Sequence, residues 1–129
     1  MARIVVSDTL NVTLFDTGDS VLISGTDLEN VELVLKQLVN LGATIVRGPQ
    51  ETGSNWTASC RRPPLAEDEV QVEKLGYRYF VRGRYLEGVR AKVKELSGQG
   101  AEQETSINKI DDVYIAVCHD ATRTDKSNP

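Results

Sequence analysis

Cysteine, histidine and aspartate stand side by side near the end of the chain, as Cys118, His119 and Asp120. A thiol enzyme uses these three side-chain types as nucleophile, base and orienting carboxylate. The apolar run before them predicts a strand, on which neighbouring side chains point to opposite faces, so Cys118 and His119 would not hydrogen-bond readily. We therefore expect Cys118, and Cys60 in the first half of the chain, to be small core residues at strand ends.

Other residue types that bind metals or phosphates do not follow a known spacing. The chain has one histidine and no Cys-x-x-Cys pair, which leaves no zinc site. The acidic runs Glu67–Glu69 and Asp111–Asp112 do not match a calcium loop. The run SGQGA, residues 97–101, follows a predicted helix, whereas a phosphate-binding loop precedes one. We expect no catalytic residue, no metal and no cofactor, and the sequence favours a protein that is not an enzyme.

The segment GYRYFVRGRY, residues 76–85, alternates aromatic and basic side chains. On a strand, Tyr77 and Tyr79 would share one face, and the arginines between them the other. Aromatic rings beside arginines are a surface on which single-stranded nucleic acid stacks. The alternative is a half-buried strand whose arginines are solvated or paired with acidic residues. The candidate nucleic-acid-binding residues are Tyr77, Arg78, Tyr79, Arg82 and Arg84.

Composition and charge are those of an ordinary globular protein. The 129 residues are 40% hydrophobic and 26% charged, with a formal net charge of −4. This charge argues against attraction of the whole protein to nucleic acid or to an anionic membrane. Because we find neither a signal sequence nor an apolar stretch long enough to span a bilayer, we expect a cytoplasmic protein without membrane contact.

The chain repeats itself with a period of 58 residues. Val12–Cys60 aligns with Val70–Cys118 without a gap, and twelve of the 49 aligned positions are identical. The identities fall at predicted turns, along one helical stripe and in a late strand, which is the pattern of a duplicated structural unit rather than of chance.

Each copy predicts two strands, a helix and two further strands. In the first copy, Thr26 or Asp27 can cap the helix, and Gly42 ends it. The predicted fold is α+β, an internal duplication of a ββαββ unit, with antiparallel sheets, one helix per repeat and a pseudo-twofold axis. We expect a single domain over residues 1–129, preceded in the first repeat by an extra strand at Ile4–Val6. Its parts are repeat one at 12–60, a linker at 61–69, repeat two at 70–118 and a polar C-terminal tail at 119–129.

The first helix is more apolar than the second. It carries Val34, Val39 and Leu41 where the second copy has Lys92, Ser97 and Gln99. These residues widen the apolar arc from about 80° to about 160°, which is more than one sheet needs to cover. Either another part of the chain covers the surplus, or it is a surface for a protein partner or for a homodimer.

The sequence therefore predicts a non-enzymatic protein-binding or regulatory module. The predicted protein-binding residues are Val34, Val39 and Leu41, on the surplus apolar face of the first helix. Single-stranded nucleic-acid binding by the basic aromatic strand of repeat two is the alternative.

Overall fold

The computed structural model describes residues 3–120, apart from the side chain of Asp8. The described chain is α+β, with two helices and two antiparallel sheets, and the predicted fold class is confirmed. It divides into two compact units, Met1–Pro64 (unit 1) and Leu65–Pro129 (unit 2), at a boundary inside the predicted linker. The pseudo-twofold arrangement stays a prediction, and the predicted tail from residue 121 onwards lies outside the described residues.

Unit 1 is a five-stranded antiparallel sheet with one helix on it. Its strand order is β1-β2-β3-β5-β4, so that β1 and β4 form the two edges. Burial alternates along β2 and β3 because one face of the sheet lies under the helix and the other does not. The elements are β1 (Ile4–Thr9), β2 (Val12–Asp16), β3 (Ser20–Gly25), α1 (Leu28–Asn40), β4 (Thr44–Thr52) and β5 (Asn55–Arg61).

Unit 2 repeats this plan, with its last edge strand divided in two. The sheet order is β6-β7-β10-β8, and β9 pairs with a different part of β10. The strand β10 runs two residues beyond the predicted end of repeat two, so His119 and Asp120 belong to the sheet. The elements are β6 (Val70–Leu75), β7 (Arg78–Gly83), α2 (Leu86–Gly98), β8 (Ala101–Gln103), β9 (Asn108–Ile110) and β10 (Val113–Asp120).

Strand register shows that the two units are copies of one another. Adding 58 to each residue of a strand pair in unit 1 gives the corresponding pair in unit 2. The pairs Leu14–Ile23, Val21–Cys60 and Ile45–Cys60 correspond to Val72–Val81, Tyr79–Cys118 and Gln103–Cys118. Since a shift of one residue would turn every side chain to the other face, a shared register means that equivalent positions face the same way.

Glycines that are identical in the two copies stand where the backbone needs them. Gly42 and Gly100 follow the helices with φ of 106° and 105°, a region that only glycine enters readily. The helix starts differ, because the Asp27 side chain accepts a hydrogen bond from the Glu29 amide while Tyr85 offers no such cap. The predicted cap at Asp27 is confirmed, and the second helix lacks its equivalent.

A buried ion pair fixes the end of β5 to the β2–β3 turn. Arg62 donates to both carboxylate oxygens of Asp16, at 2.6 and 2.8 Å, and to the Gly18 carbonyl at 3.0 Å. Both side chains are completely buried. The Gly18 amide also donates to Asp16, at 2.8 Å. Because both charges are desolvated, each needs the other to remain in the core.

We predict that Asp16→Ala lowers the free energy of unfolding by about 3–5 kcal/mol, because it leaves Arg62 charged and buried. Trp56, the single tryptophan of the chain, lies in unit 1 and reports its unfolding in urea. Glu32→Ala on the exposed side of α1 is the control, with a change within about 0.5 kcal/mol. A small loss for Asp16→Ala would mean that the pair does not hold unit 1 together.

In each unit a valine of the helix packs closely over a glycine of the sheet. A Cβ atom at Gly25 would lie 3.0 Å from Val12 and 3.2 Å from Val31, and one at Gly83 would lie 3.1 Å from Val89. The two glycines are equivalent in the repeat. In each unit an aromatic residue faces this glycine across the neighbouring strand, Trp56 in unit 1 and Tyr114 in unit 2. The aromatic residues that the repeat aligns thus lie beside a point of close packing between helix and sheet.

We predict that Gly25→Ala and Gly83→Ala each lower the free energy of unfolding by about 1–3 kcal/mol, because the new methyl group pushes the helix off the sheet. Urea unfolding followed by circular dichroism measures both. Gly48→Ala in β4 is the control, because no atom lies within 4 Å of the added Cβ. An equal loss at Gly48 would show that glycine flexibility, rather than close packing, explains the effect.

Candidate functional site

The buried stripe of α1 includes one of the three predicted binding residues. Val31, Val34, Leu35 and Leu38 are the buried residues of the helix. Val34 follows Val31 by one helical turn and is completely buried, so it does not belong to a surface. The sequence placed Val34 at the margin of the apolar arc, but the sheet covers a wider arc of the helix than the prediction allowed.

Val39 and Leu41 are exposed, as predicted, at the end of the helix. Their exposed fractions are 39% and 42%. At 100° per residue they lie about 160° apart, on the two flanks of the buried stripe, and Leu41 is already the helix C-cap. The surplus apolar surface of α1 is therefore two flanks and not one continuous face.

Two further exposed aliphatic residues lie at the start of β4, a few residues after Leu41, and the sequence analysis missed both. Ile45 and Val46 are 49% and 60% exposed at the start of the strand. Both lie in the strand predicted to follow the helix, but that prediction did not place β4 at the edge of the sheet, where its residues are mostly exposed. We name Val39, Leu41, Ile45 and Val46 the α1–β4 corner. Among the described residues, this eight-residue stretch holds four of the eight large hydrophobic side chains that are exposed.

The corner carries no charge. From Gln37 to Val46 the sequence reads QLVNLGATIV and contains no ionisable side chain. Charged residues are depleted from the cores of protein interfaces, and aliphatic patches without charges are typical of them.

The free edge of β4 is protected against pairing with another strand. Its pairing with β5 shifts register between Ile45 and Arg47 and again between Arg47 and Gln50. Pro49 lies inside the second irregular stretch. Bulges and prolines blunt an edge strand against addition of a further strand. Contact at the corner is therefore expected between side chains and not through backbone hydrogen bonds.

The arginines of the basic aromatic strand are engaged inside unit 2. Arg78 donates to Glu104 at 2.7 Å, and Arg84 donates to Asp112 at 3.2 Å. Arg82 is buried and donates to the Gln71 side chain at 2.8 Å, so a phosphate group cannot reach it. Arg82 lies on the sheet face opposite α2, together with Phe80 and Ile115, and all three side chains are buried.

The tyrosines of this segment also have contacts within the unit. Tyr79 packs against the core between β7 and α2, which contains Val81 and Cys118. Arg78 lies over the Tyr77 ring, 5.1 Å from its centroid, and the His119 ring meets Tyr77 edge to face. The structure thus brings Tyr77 and Arg78 together, but places Arg82 and Arg84 apart from them in other environments.

Cys118 is a core residue, as the alternation along the strand predicted. Burial raises the pKa of its thiol, and the negative charge of Glu104 raises it further. Cys60 is buried as well, and neither cysteine is in a disulfide. His119 lies between Glu102 and Glu104, at 3.2 and 3.4 Å, rather than in a hydrogen bond with Cys118. This arrangement does not produce a reactive thiolate.

The acidic runs have structural roles in turns and at the start of β6. Glu69 accepts hydrogen bonds from the Ala66 amide and from Gln71, which lower the pKa of its carboxyl group. Glu67 accepts a hydrogen bond from the Tyr85 hydroxyl at 2.8 Å and so raises the pKa of that hydroxyl. Within residues 3–120, no group of three or more His, Cys, Asp or Glu side chains has the arrangement of a metal site.

Comparisons with known proteins leave the function to be inferred from these residues alone. No protein-family model, curated protein or solved structure matches the chain. Neither helix in the described part of the chain is long and apolar enough to cross a membrane. The cytoplasmic location stays a prediction.

We predict that Cys118 reacts with iodoacetamide at neutral pH much more slowly than a free thiol, because burial keeps it protonated and covered. Because the pKa of Cys118 is raised in the folded state, its contribution to the free energy of unfolding is fully present below the pKa of an unfolded cysteine, about 8.5. This contribution falls as the pH rises above that value. Mass spectrometry of the labelled peptide measures the rate, and labelling in urea is the control. Labelling as fast in the folded protein as in urea would contradict the core assignment.

Proposed function

We propose that the chain is a non-enzymatic protein-binding module and that the α1–β4 corner is its binding surface. The observation that carries the proposal is the grouping of exposed aliphatic side chains at Val39, Leu41, Ile45 and Val46. Each half-exposed aliphatic side chain contributes roughly 1 kcal/mol when a partner covers it. This surface replaces the predicted set, in which Val34 is buried.

The charge distribution supports a second copy of the chain as the occupant. Repeat one, residues 12–60, carries two basic and six acidic groups and so has a net charge of −4. The corner is the uncharged part of this acidic repeat. Two copies that meet at the corner bury apolar surface without placing acidic groups against each other, and a symmetric contact counts each side chain twice.

The nucleic-acid alternative at Tyr77, Arg78, Tyr79, Arg82 and Arg84 has less support. Binding a phosphate there requires Arg78 to leave Glu104 and Arg84 to leave Asp112. Each exchange removes an existing ion pair, and the buried Arg82 contributes no contact. A nucleic-acid interface uses arginines that are free to release counterions.

We predict concentration-dependent self-association that Leu41→Gln/Ile45→Gln weakens by roughly tenfold or more, because two apolar side chains are lost from each copy. Sedimentation velocity from low micromolar to millimolar protein measures it. The association should change little between 50 and 500 mM salt, since apolar contact is not screened.

Leu33→Gln is the matched control, because Leu33 is equally exposed but lies on the side of α1 opposite the buried stripe. It should associate as the unmodified chain does. The proposal is overturned if the protein stays monomeric at every concentration. It is also overturned if Leu33→Gln weakens self-association as much as the double substitution does.

A further inference from the structure

The sheet of unit 1 has one face without a covering element in that unit. Along β1, β2 and β3 the side chains alternate between buried and solvent-facing positions. The buried positions lie under α1. The other positions form a face that we name the open face, and a row of directly opposed residues crosses it from one sheet edge to the other. That row is Val5, Phe15, Leu22, Ser59 and Arg47.

The charge on the open face is opposite to that of the repeat. Arg3, Arg47 and Arg61 are exposed, and their register or their contacts place them on this face. The only other basic residues of unit 1 are Lys36 on α1 and Arg62, which is buried against Asp16. The described acidic side chains of unit 1 belong to turns, to α1 or to the helix side of the sheet. Unit 1 therefore concentrates positive charge on one face of an acidic repeat.

The centre of the open face is aromatic and apolar. Phe15 is half-buried, and Val5 and Leu22, which flank it on the neighbouring strands, are exposed. The guanidinium carbon of Arg3 lies 4.9 Å from the centroid of the Phe15 ring. Neighbouring strands are about 4.8 Å apart, so the strands of Arg3 and Arg61 stand about 14 Å apart, on opposite sides of Phe15.

Short polar side chains continue the face beyond this row. Thr13, Ser24 and Thr57 form the next line of opposed residues across β2, β3 and β5. The Asn55 amide donates to the Ser24 hydroxyl at 3.2 Å. Hydroxyl and amide groups hydrogen-bond to base edges and sugars without adding charge.

The equivalent face of unit 2 has a different composition. Phe15, Leu22 and Ser59 correspond to Glu73, Phe80 and Val117, all three of which are buried. The two units share their strand register, so the contrast lies in the side chains and not in the backbone. Among the described residues, the arginines on this face of unit 2 are Arg78, which is only 11% exposed and paired with Glu104, and Arg82, which is buried.

We propose that the open face of unit 1 binds single-stranded nucleic acid. The Phe15 ring, with Arg3 beside it, offers a surface on which an unpaired base stacks, and Leu22 adds apolar contact. The three arginines contact phosphates, and the hydroxyl row contacts sugars or base edges. This site lies on a different surface from the α1–β4 corner and does not depend on it. It also differs from the predicted nucleic-acid site in repeat two, whose arginines are engaged within the unit.

Fluorescence anisotropy of labelled 20-nucleotide single strands, DNA and RNA of mixed sequence, tests the proposal on the full chain. We predict binding in the range of about 1–100 µM at 50 mM salt. Three phosphate contacts give a salt slope near −2, so raising the salt from 50 to 200 mM weakens binding roughly 20-fold. Phe15→Ala should weaken binding by about tenfold through lost stacking. Phe15→Leu keeps an apolar side chain, and should also bind more weakly because it lacks the ring.

The substitution Arg3→Gln/Arg47→Gln/Arg61→Gln changes only exposed side chains and should abolish both the binding and its salt dependence. The control Lys36→Gln/Arg90→Gln/Lys94→Gln removes three exposed charges from the helices and should keep at least half of the affinity. The proposal is overturned if no strand binds or if the control loses as much affinity as the arginine variant. The proposal is also overturned if polyglutamate binds with the same affinity as the nucleic-acid strands, because an acidic protein would then be the partner.

Discussion

A single helix can cover only one face of a five-stranded sheet. Most features of this protein depend on which side chains each unit has on the other face. Beneath each helix a glycine, Gly25 or Gly83, leaves room for a valine of the helix to pack closely on the sheet. These contacts are the same in both units, and so is the strand register. The two units differ most visibly in the residues on the sheet face opposite the helix and at the sheet edges.

Unit 2 has put large residues such as Phe80 and Val117 on that opposite face, and they are buried. Unit 1 has kept short hydroxyl residues there and added arginines. Its edge also differs, because β4 is one long strand with bulges where unit 2 has the two short strands β8 and β9. The exposed apolar corner and the basic open face are thus both properties of unit 1, while unit 2 keeps the shared core with few exposed apolar residues.

The duplication could be predicted from the sequence because its signals are local. Glycines after helices, an aspartate cap and the helical stripe each act over a few residues, and they give the order of elements directly. Arg82 shows where such reasoning stops. Its alternation with tyrosines is visible in the sequence, but the sequence does not show that the sheet face it shares with Phe80 and Val117 is buried.

The corner and the open face show the same limit. Ile45 and Val46 have the composition of a buried strand, and only the position of β4 at the sheet edge exposes them. Arg3, Arg47 and Arg61 are scattered over nearly 60 residues, and no spacing in the sequence connects them. Cross-strand register places Arg47 and Arg61 on one face, and the contact with Phe15 places Arg3 there. Val34 was predicted to lie on a binding surface and is buried instead. A helical wheel does not show how wide an arc of the helix the rest of the protein will cover.

The central claim is that unit 1 presents the binding surfaces of this protein, and that the first of them is the α1–β4 corner. A dilution series of ¹H–¹⁵N correlation spectra tests it residue by residue. The account predicts that amide signals of residues 39–46 shift with protein concentration while those of α2 and β7 stay fixed. Shifts confined to unit 2, or an unchanged spectrum from micromolar to millimolar protein, would contradict it.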